Sequence, residues 1–112
     1  MKVSTKIEGD RCIVTVQEDR IDAAVALAFK DAMRRNTVGS GAMVILNLAQ
    51  VQFIDSSGLG AIVATMKHLA PDRKLVLAGL TAPVERVFTL TRMDSVFDLF
   101  ANLDDALAVH HA

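Results

Sequence analysis

The 112-residue chain is long enough to bury the core of one domain and too short for two, so a single domain over residues 1–112 is predicted. Hydrophobic residues make up 52% of the chain and its formal net charge is −1, which leaves no basic field for a nucleic-acid backbone. Tryptophan and tyrosine are absent, so bases would have only phenylalanine to stack on, and nucleic acid is not an expected partner.

The chain contains a single cysteine, Cys12, and no long apolar segment. One cysteine cannot form an internal disulfide, and its place in a predicted strand favours a small buried side chain in a reducing compartment. No apolar run approaches the ~20 residues that span a bilayer, and the charged N-terminus, Met1–Lys6, has no apolar stretch behind it. We therefore expect a cytoplasmic protein without membrane insertion.

Strands and helices alternate along the first half of the chain. Residues 2–8 alternate polar and apolar side chains, and the apolar residues 12–16 follow a Gly-Asp turn signal. These features predict an antiparallel hairpin. Apolar residues at helical spacing predict a first helix from about Ala23 to Arg35. The apolar run at residues 43–48 is rich in β-branched side chains, which predicts a strand buried on both faces.

The second half of the chain continues the alternation. Residues 74–79 predict a further strand, and Thr81 can cap a third helix. Residues 96–100 alternate like a short edge strand, and Asn102 with Asp105 forms a cap pair that opens a last helix. Alternating strands and helices predict an α/β fold in which a mixed sheet is covered by helices.

One polar stretch separates a strand-like apolar run from an amphipathic helix. Residues 55–58 read Asp-Ser-Ser-Gly, residue types that cap a helix N-terminus or let the backbone turn sharply. A hydroxyl group here lies beside a carboxylate and at the positive end of a helix dipole. Such a place suits the attachment or recognition of a phosphate. The alternative is a plain helix cap, in which Ser56 or Ser57 binds the first free N–H groups.

The histidines and glycines argue against an enzyme. A serine nucleophile needs a nearby base, and His68 would lie at the far end of the helix that Ser56 begins, roughly 18 Å away. His110 and His111 are close to the C-terminus, and the chain has no G-x-S-x-G elbow. The glycines are not followed by the Lys-Ser or Lys-Thr pair of a P-loop, and the scattered histidines have no metal-site spacing. We predict no catalytic residue, cofactor or metal site.

The sequence Phe53-Ile-Asp-Ser-Ser-Gly-Leu-Gly60, followed by a helix, resembles the signature of the STAS domain as found in bacterial anti-sigma factor antagonists. The resemblance covers nearly the whole chain. It includes, besides this signature, Arg20-Ile-Asp22, Ala78-Gly79, Pro83-Val84 and Leu103-Asp-Asp-Ala-Leu107. It implies a STAS fold, with a mixed sheet of four to five strands covered by about four helices.

The resemblance also implies a phosphorylation switch. In regulatory members of the family, a partner that is both anti-sigma factor and serine kinase phosphorylates the first serine of the motif, here Ser56, and a metal-dependent serine phosphatase resets it. The unphosphorylated form would bind the kinase and free the sigma factor, and the phosphorylated form would let go. Asp55 and Ser57 flank this serine, and Gly58 and Leu59 would shape the loop and contact surface.

Two further residues and a second function remain open at this point. Asp22 matches the family's second partner-facing acidic position, although an acid is also common at a helix start. Met93 is either core filler or part of a contact patch. Some proteins with this domain are subunits of lipid-transport ABC complexes or scaffolds in signalling assemblies, but the two adjacent serines favour the regulatory branch. The resemblance leaves the oligomeric state undecided.

Overall fold

The computed structural model of the protein describes residues 1–39 and 41–109, so His110 and His111 lie outside the described residues. The strands are β1 (Val3–Glu8), β2 (Arg11–Val16), β3 (Arg20–Ile21), β4 (Met43–Asn47), β5 (Phe53–Ile54), β6 (Lys74–Ala78) and β7 (Leu99–Phe100). The helices are α1 (Ala26–Asn36), α2 (Ser56–Leu69), α3 (Ala82–Leu90) and α4 (Leu103–Leu107), with a 3₁₀ helix at Met93–Ser95. The predicted α/β fold is confirmed.

Five strands form one mixed sheet in the order β1-β2-β4-β6-β7. β1 and β2 form the predicted antiparallel hairpin, closed by Glu8 opposite Arg11, and β2, β4, β6 and β7 run parallel to one another. β3 and β5 pair in parallel as a separate two-stranded sheet, with Arg20 opposite Phe53. This small sheet positions the candidate functional site.

Helices cover both faces of the five-stranded sheet. Val44 belongs to the larger core, under α1, α2 and α3, whereas its neighbour Ile45 belongs to a smaller core under α4. Both side chains are fully buried, which confirms that residues 43–48 include a strand buried on both faces. Cys12 is also buried, as predicted, and lies in the larger core.

The start of α1 lies three residues later than predicted, at Ala26 instead of Ala23. The intervening residues form a turn in which the Val25 N–H donates to the Asp22 carbonyl oxygen at 3.1 Å. The N–H groups of Ala23 and Ala24 donate to side-chain carboxylates at 3.0 and 3.1 Å. These two residues therefore precede the helix instead of forming its first turn.

The predicted edge strand at residues 96–100 is wrong over most of its length, because only Leu99–Phe100 pairs with β6. The N–H groups of Val96 and Phe97 both donate to the Met93 carbonyl oxygen at 3.0 Å, so the 3₁₀ helix ends in a turn that reaches Phe97. The Phe97 ring packs edge-on against Phe88 with 5.9 Å between centroids. The alternating pattern thus reflects a buried aromatic residue in a turn and not a strand.

The two predicted helix caps have different outcomes. Asn102 caps α4 as predicted, because its Oδ1 accepts a hydrogen bond from the Asp105 N–H at 2.8 Å. Thr81 lies at the N-cap position of α3, but its hydroxyl donates to the Val51 carbonyl oxygen at 2.7 Å and makes no bond to the helix backbone. Thr81 therefore ties α3 to the segment that precedes β5.

Candidate functional site

The small sheet brings two acidic residues to neighbouring positions. Ile21 of β3 lies opposite Ile54 of β5 in parallel register, so the next residues, Asp22 and Asp55, leave the sheet at the same end. The Asp55 N–H also donates to the Ile21 carbonyl oxygen at 3.4 Å. The start of α2 is therefore held beside the turn that precedes α1.

The Asp55 carboxylate joins these two segments. Its Oδ1 accepts a hydrogen bond from the Gly58 N–H at 2.9 Å, which makes Asp55 the N-cap of α2. Its Oδ2 accepts a hydrogen bond from the Ala23 N–H at 3.0 Å. The bond from Gly58 is the main cause that lowers the pKa of Asp55 from its ordinary value of 3.8; the Ala23 bond adds to this, while desolvation opposes it. Asp55 is therefore ionised at neutral pH.

Ser56 and Ser57 are the first two residues of α2, and both are exposed. The segment caps α2, as one of the two interpretations predicted, but it does so through the Asp55 carboxylate and not through a serine hydroxyl. Each serine hydroxyl therefore lies at the positive end of the α2 dipole without serving as its cap.

Gly58 and Leu59 follow the two exposed serines in α2 and point into the protein. Both residues are buried, with 9% of Leu59 exposed. A Cβ atom added at Gly58 would lie 2.0 Å from the Ile21 carbonyl oxygen, so only glycine lets α2 approach β3 this closely. Both residues therefore pack the start of α2 against the protein interior.

The Asp22 side chain is partly buried and is held by two groups. Its Oδ1 accepts a hydrogen bond from the Ala24 N–H at 3.1 Å, and its Oδ2 lies 3.3 Å from Nη1 of Arg20. The Arg20 guanidinium in turn lies 5.4 Å from the ring centroid of Phe53, whose side chain is 47% exposed. An ion pair and a cation–π contact therefore link Asp22, Arg20 and Phe53 on the small sheet that leads to Asp55 and Ser56.

Sequence reasoning assigned no role to Arg20 or Phe53. Both residues occur within the segments that carry the family resemblance. Their contact arises from the parallel register of β3 with β5, which joins positions far apart in the sequence. No local sequence pattern marks this pair, since the exposure of Phe53 is visible only in the structure.

Met93 is the one predicted site residue that the structure places elsewhere. It lies in the 3₁₀ helix after α3 and packs, partly buried, against the larger core. α3 begins directly after β6 and runs back along the sheet, so its C-terminal end lies at the opposite end of the sheet from the start of α2. This placement suits the core-filling interpretation of Met93.

Catalysis or metal binding at this site would need suitable side chains close to one another. His68 lies in the last turn of α2, the helix whose first residue is Ser56. Within residues 1–39 and 41–109, no group of three or more histidine, cysteine or acidic residues could hold a metal ion. In the same part of the chain, no helix has the length and apolar character needed to cross a bilayer.

Comparison with known proteins identifies the family. The sequence model of the STAS domain matches residues 2–106, and the chain therefore belongs to the STAS domain family. Among curated proteins it is similar to the Anti-sigma-B factor antagonist of Listeria monocytogenes, with 32% identity over 80 residues that cover 70% of each protein. It is also similar to the Anti-sigma-F factor antagonist RsfB of Mycobacterium tuberculosis, with 28% identity over 87 residues, 78% of this chain and 71% of that protein.

A solved structure agrees with these relatives. The crystal structure of an anti-sigma factor antagonist from Mycobacterium paratuberculosis matches with a TM-score of 0.84 and 26% identity, covering 95% of this chain and 90% of that one. The predicted resemblance to anti-sigma factor antagonists and the predicted STAS fold are both confirmed.

Proposed function

We propose that this protein is an anti-sigma factor antagonist whose affinity for its partner is switched by phosphorylation of Ser56. The observation that carries the proposal is an exposed serine at the first position of α2, beside an aspartate that already caps the helix. Because Asp55 supplies the cap, modification of the serine hydroxyl removes no capping hydrogen bond. The curated relatives are named as antagonists of anti-sigma factors, which supports this class of partner.

The proposed partners form a cycle in the bacterial cytoplasm. An anti-sigma factor that is also a serine kinase binds the unphosphorylated form, releases its sigma factor and transfers the γ-phosphoryl group of ATP to the Ser56 hydroxyl, with ADP as the leaving group. A metal-dependent serine phosphatase removes the group by hydrolysis. The exposure of Ser56 supports access by both enzymes.

The charges around Ser56 support a switch in binding. A phosphoserine adds about −1.5 to −2 charges next to the ionised Asp55 and near Asp22. In the free protein this charge is solvated and screened. Inside an interface it would be desolvated beside a carboxylate, and unpaired buried charges typically cost ~2–5 kcal/mol. That cost corresponds to an affinity lower by roughly 30-fold to several thousand-fold.

The proposed contact surface combines Ser56 with exposed and partly exposed neighbours. Asp22, Asp55 and Ser57 supply polar contacts, and the Arg20–Phe53 pair supplies an ordered cation and an exposed aromatic ring. Aromatic and arginine side chains are enriched among residues that dominate binding energy. Gly58 and Leu59 contribute by holding the loop in shape.

The test uses the anti-sigma factor encoded in the same genome, with binding measured by titration calorimetry before and after incubation with ATP and Mg²⁺. We expect phosphate on Ser56 by mass spectrometry and an affinity at least ~30-fold lower for Ser56→Glu. Ser56→Ala should bind without being phosphorylated. Ser4→Ala, an exposed serine on β1, is the matched control and should behave as the natural protein.

Two results would contradict the proposal. One is phosphorylation that persists in Ser56→Ala, and the other is unchanged affinity of Ser56→Glu for the anti-sigma factor. If no anti-sigma factor binds, the transporter-subunit or scaffold role of this domain becomes the better hypothesis.

A further inference from the structure

β1 is the edge strand at one side of the five-stranded sheet. It is the first strand in the order β1-β2-β4-β6-β7 and spans six residues, Val3–Glu8. No other strand within residues 1–39 and 41–109 pairs with its outer side. β7, at the opposite edge, is only two residues long. Among the described strands, β1 therefore offers the longest row of outward backbone groups, and such a row is a template for pairing with another chain.

The pairing with β2 determines which backbone groups of β1 point outward. The Gln17 N–H donates to the Lys2 carbonyl oxygen at 2.9 Å, so these two residues form a hydrogen-bonded pair of the antiparallel ladder. Bonded and non-bonded pairs alternate along such a ladder. The even-numbered residues of β1 therefore bond to β2. The residues whose N–H and C=O groups point away from β2 are Val3, Thr5 and Ile7.

The sequence of this edge is complementary to itself. If two copies of β1 run antiparallel about a two-fold axis at Thr5, Lys2 of one copy faces Glu8 of the other. In the same register Val3 faces Ile7, so the charges at the two ends of the strand meet opposite charges and each β-branched apolar residue meets another. The Ile7 side chain is 58% exposed and would be covered by the facing valine.

We propose that the protein forms a homodimer in which the β1 strands of two copies pair antiparallel, centred on Thr5. The outward N–H and C=O groups then form about six hydrogen bonds between the chains. The two five-stranded sheets become one continuous sheet. Ser4 faces Lys6 in this register, so like charges do not face each other directly.

A neighbouring register is less favourable. An axis at Ile7 would place Thr5 of one copy opposite Gly9 of the other. Gly9 belongs to the hairpin turn and has a φ of +62°, which is not extended backbone. This register would also leave Val3 without a facing residue of β1, because its counterpart, Arg11, belongs to β2. The centre at Thr5 keeps the whole pairing within extended residues.

The first test compares two substitutions at Thr5 by sedimentation equilibrium over a concentration series. Thr5→Pro removes an outward N–H that β2 does not use, and proline is tolerated at a strand edge. Thr5→Val keeps this N–H but, like the proline variant, loses the hydroxyl bond of Thr5 to Asn36 at 2.9 Å. We expect the natural protein to form a dimer. Thr5→Pro should raise the dissociation constant of this dimer ~10-fold or more, whereas Thr5→Val should change it little.

The second test reverses the charges at the ends of the strand. Lys2→Glu and Glu8→Lys each place like charges opposite each other in a homodimer, which should raise the dissociation constant about tenfold. Mixing the two variants restores opposite charges at both ends. We therefore expect the mixture to form a heterodimer more tightly than either variant pairs with itself.

Three outcomes would overturn the proposal. The natural protein could remain monomeric up to about 1 mM, the weak end of specific association. A dimer could form but be insensitive to Thr5→Pro while circular dichroism shows an intact fold. Finally, the mixed charge variants could show no preference for the heterodimer. In the last two cases the contact between the copies lies elsewhere than β1.

Discussion

Two glycines of α2 have opposite packing surroundings. A Cβ atom at Gly58 would lie 2.0 Å from the Ile21 carbonyl oxygen, whereas one at Gly60 would meet nothing within 4 Å. We expect Gly58→Ala to lower the free energy of unfolding by about 1–3 kcal/mol, because backbone must move to admit the methyl group. Gly60→Ala, the matched control, should raise it by roughly 0.5–1 kcal/mol through higher helix propensity. Urea denaturation measures both, and equal effects would contradict the packing argument.

Asp55 is expected to make stability depend on pH. Its pKa in the folded protein lies below the ordinary value of 3.8, since backbone N–H groups of Gly58 and Ala23 bind the ionised form. The unfolded chain therefore holds the proton more tightly. Ionised Asp55 stabilises the fold above pH 3.8, and this contribution is lost as the pH falls through the folded pKa.

The variant Asp55→Asn tests this dependence because it cannot titrate. We expect the difference in free energy of unfolding between the natural protein and this variant to be constant near neutral pH. The difference should shrink as the pH is lowered from about 5 to about 2. Urea denaturation at each pH provides the measurement. A difference that stays constant down to pH 2 would show that the Asp55 hydrogen bonds do not favour the ionised form.

At the scale of elements, α4 depends strongly on its cap. This helix has five residues and covers the smaller core through Ala106. Asn102→Ala removes the acceptor of the Asp105 N–H and should lower the free energy of unfolding by about 1 kcal/mol. Hydrogen exchange should accelerate in α4 more than in α2. Asn102→Asp keeps an acceptor and serves as the control; equal exchange rates in both variants would contradict a role for the cap.

Element boundaries were predicted best where the deciding contacts are local. The cap of α4 involves residues three positions apart, and its prediction was correct. The start of α1 was predicted too early because Ala23 donates to Asp55, which lies 32 residues away. The Thr81 hydroxyl likewise bonds Val51, 30 residues away, instead of its own helix. Helical periodicity carries no information about such distant acceptors.

At the scale of the whole molecule, modification of Ser56 should leave the fold intact. Ser56 is exposed, and the α2 dipole offsets added negative charge by about 0.3–1 kcal/mol. We expect the free energy of unfolding of Ser56→Glu to lie within about 1 kcal/mol of the natural value by urea denaturation. A loss as large as that expected for Gly58→Ala would mean that weaker partner binding reflects unfolding and not a switch.

Local patterns in the sequence determined the alternation of strands and helices, the strand buried on both faces, and the position of Asp55 and Ser56 at a helix start. These features depend on residues close together in the chain, whose periodicity and capping chemistry can be read directly. Tertiary structure alone decided that the Asp55 carboxylate accepts a hydrogen bond from Ala23, that Gly58 packs closely against β3, and that β1 lies at a sheet edge. Strand order and register create these contacts, and both are set by how the helices cover the two faces of the sheet, which no local pattern records.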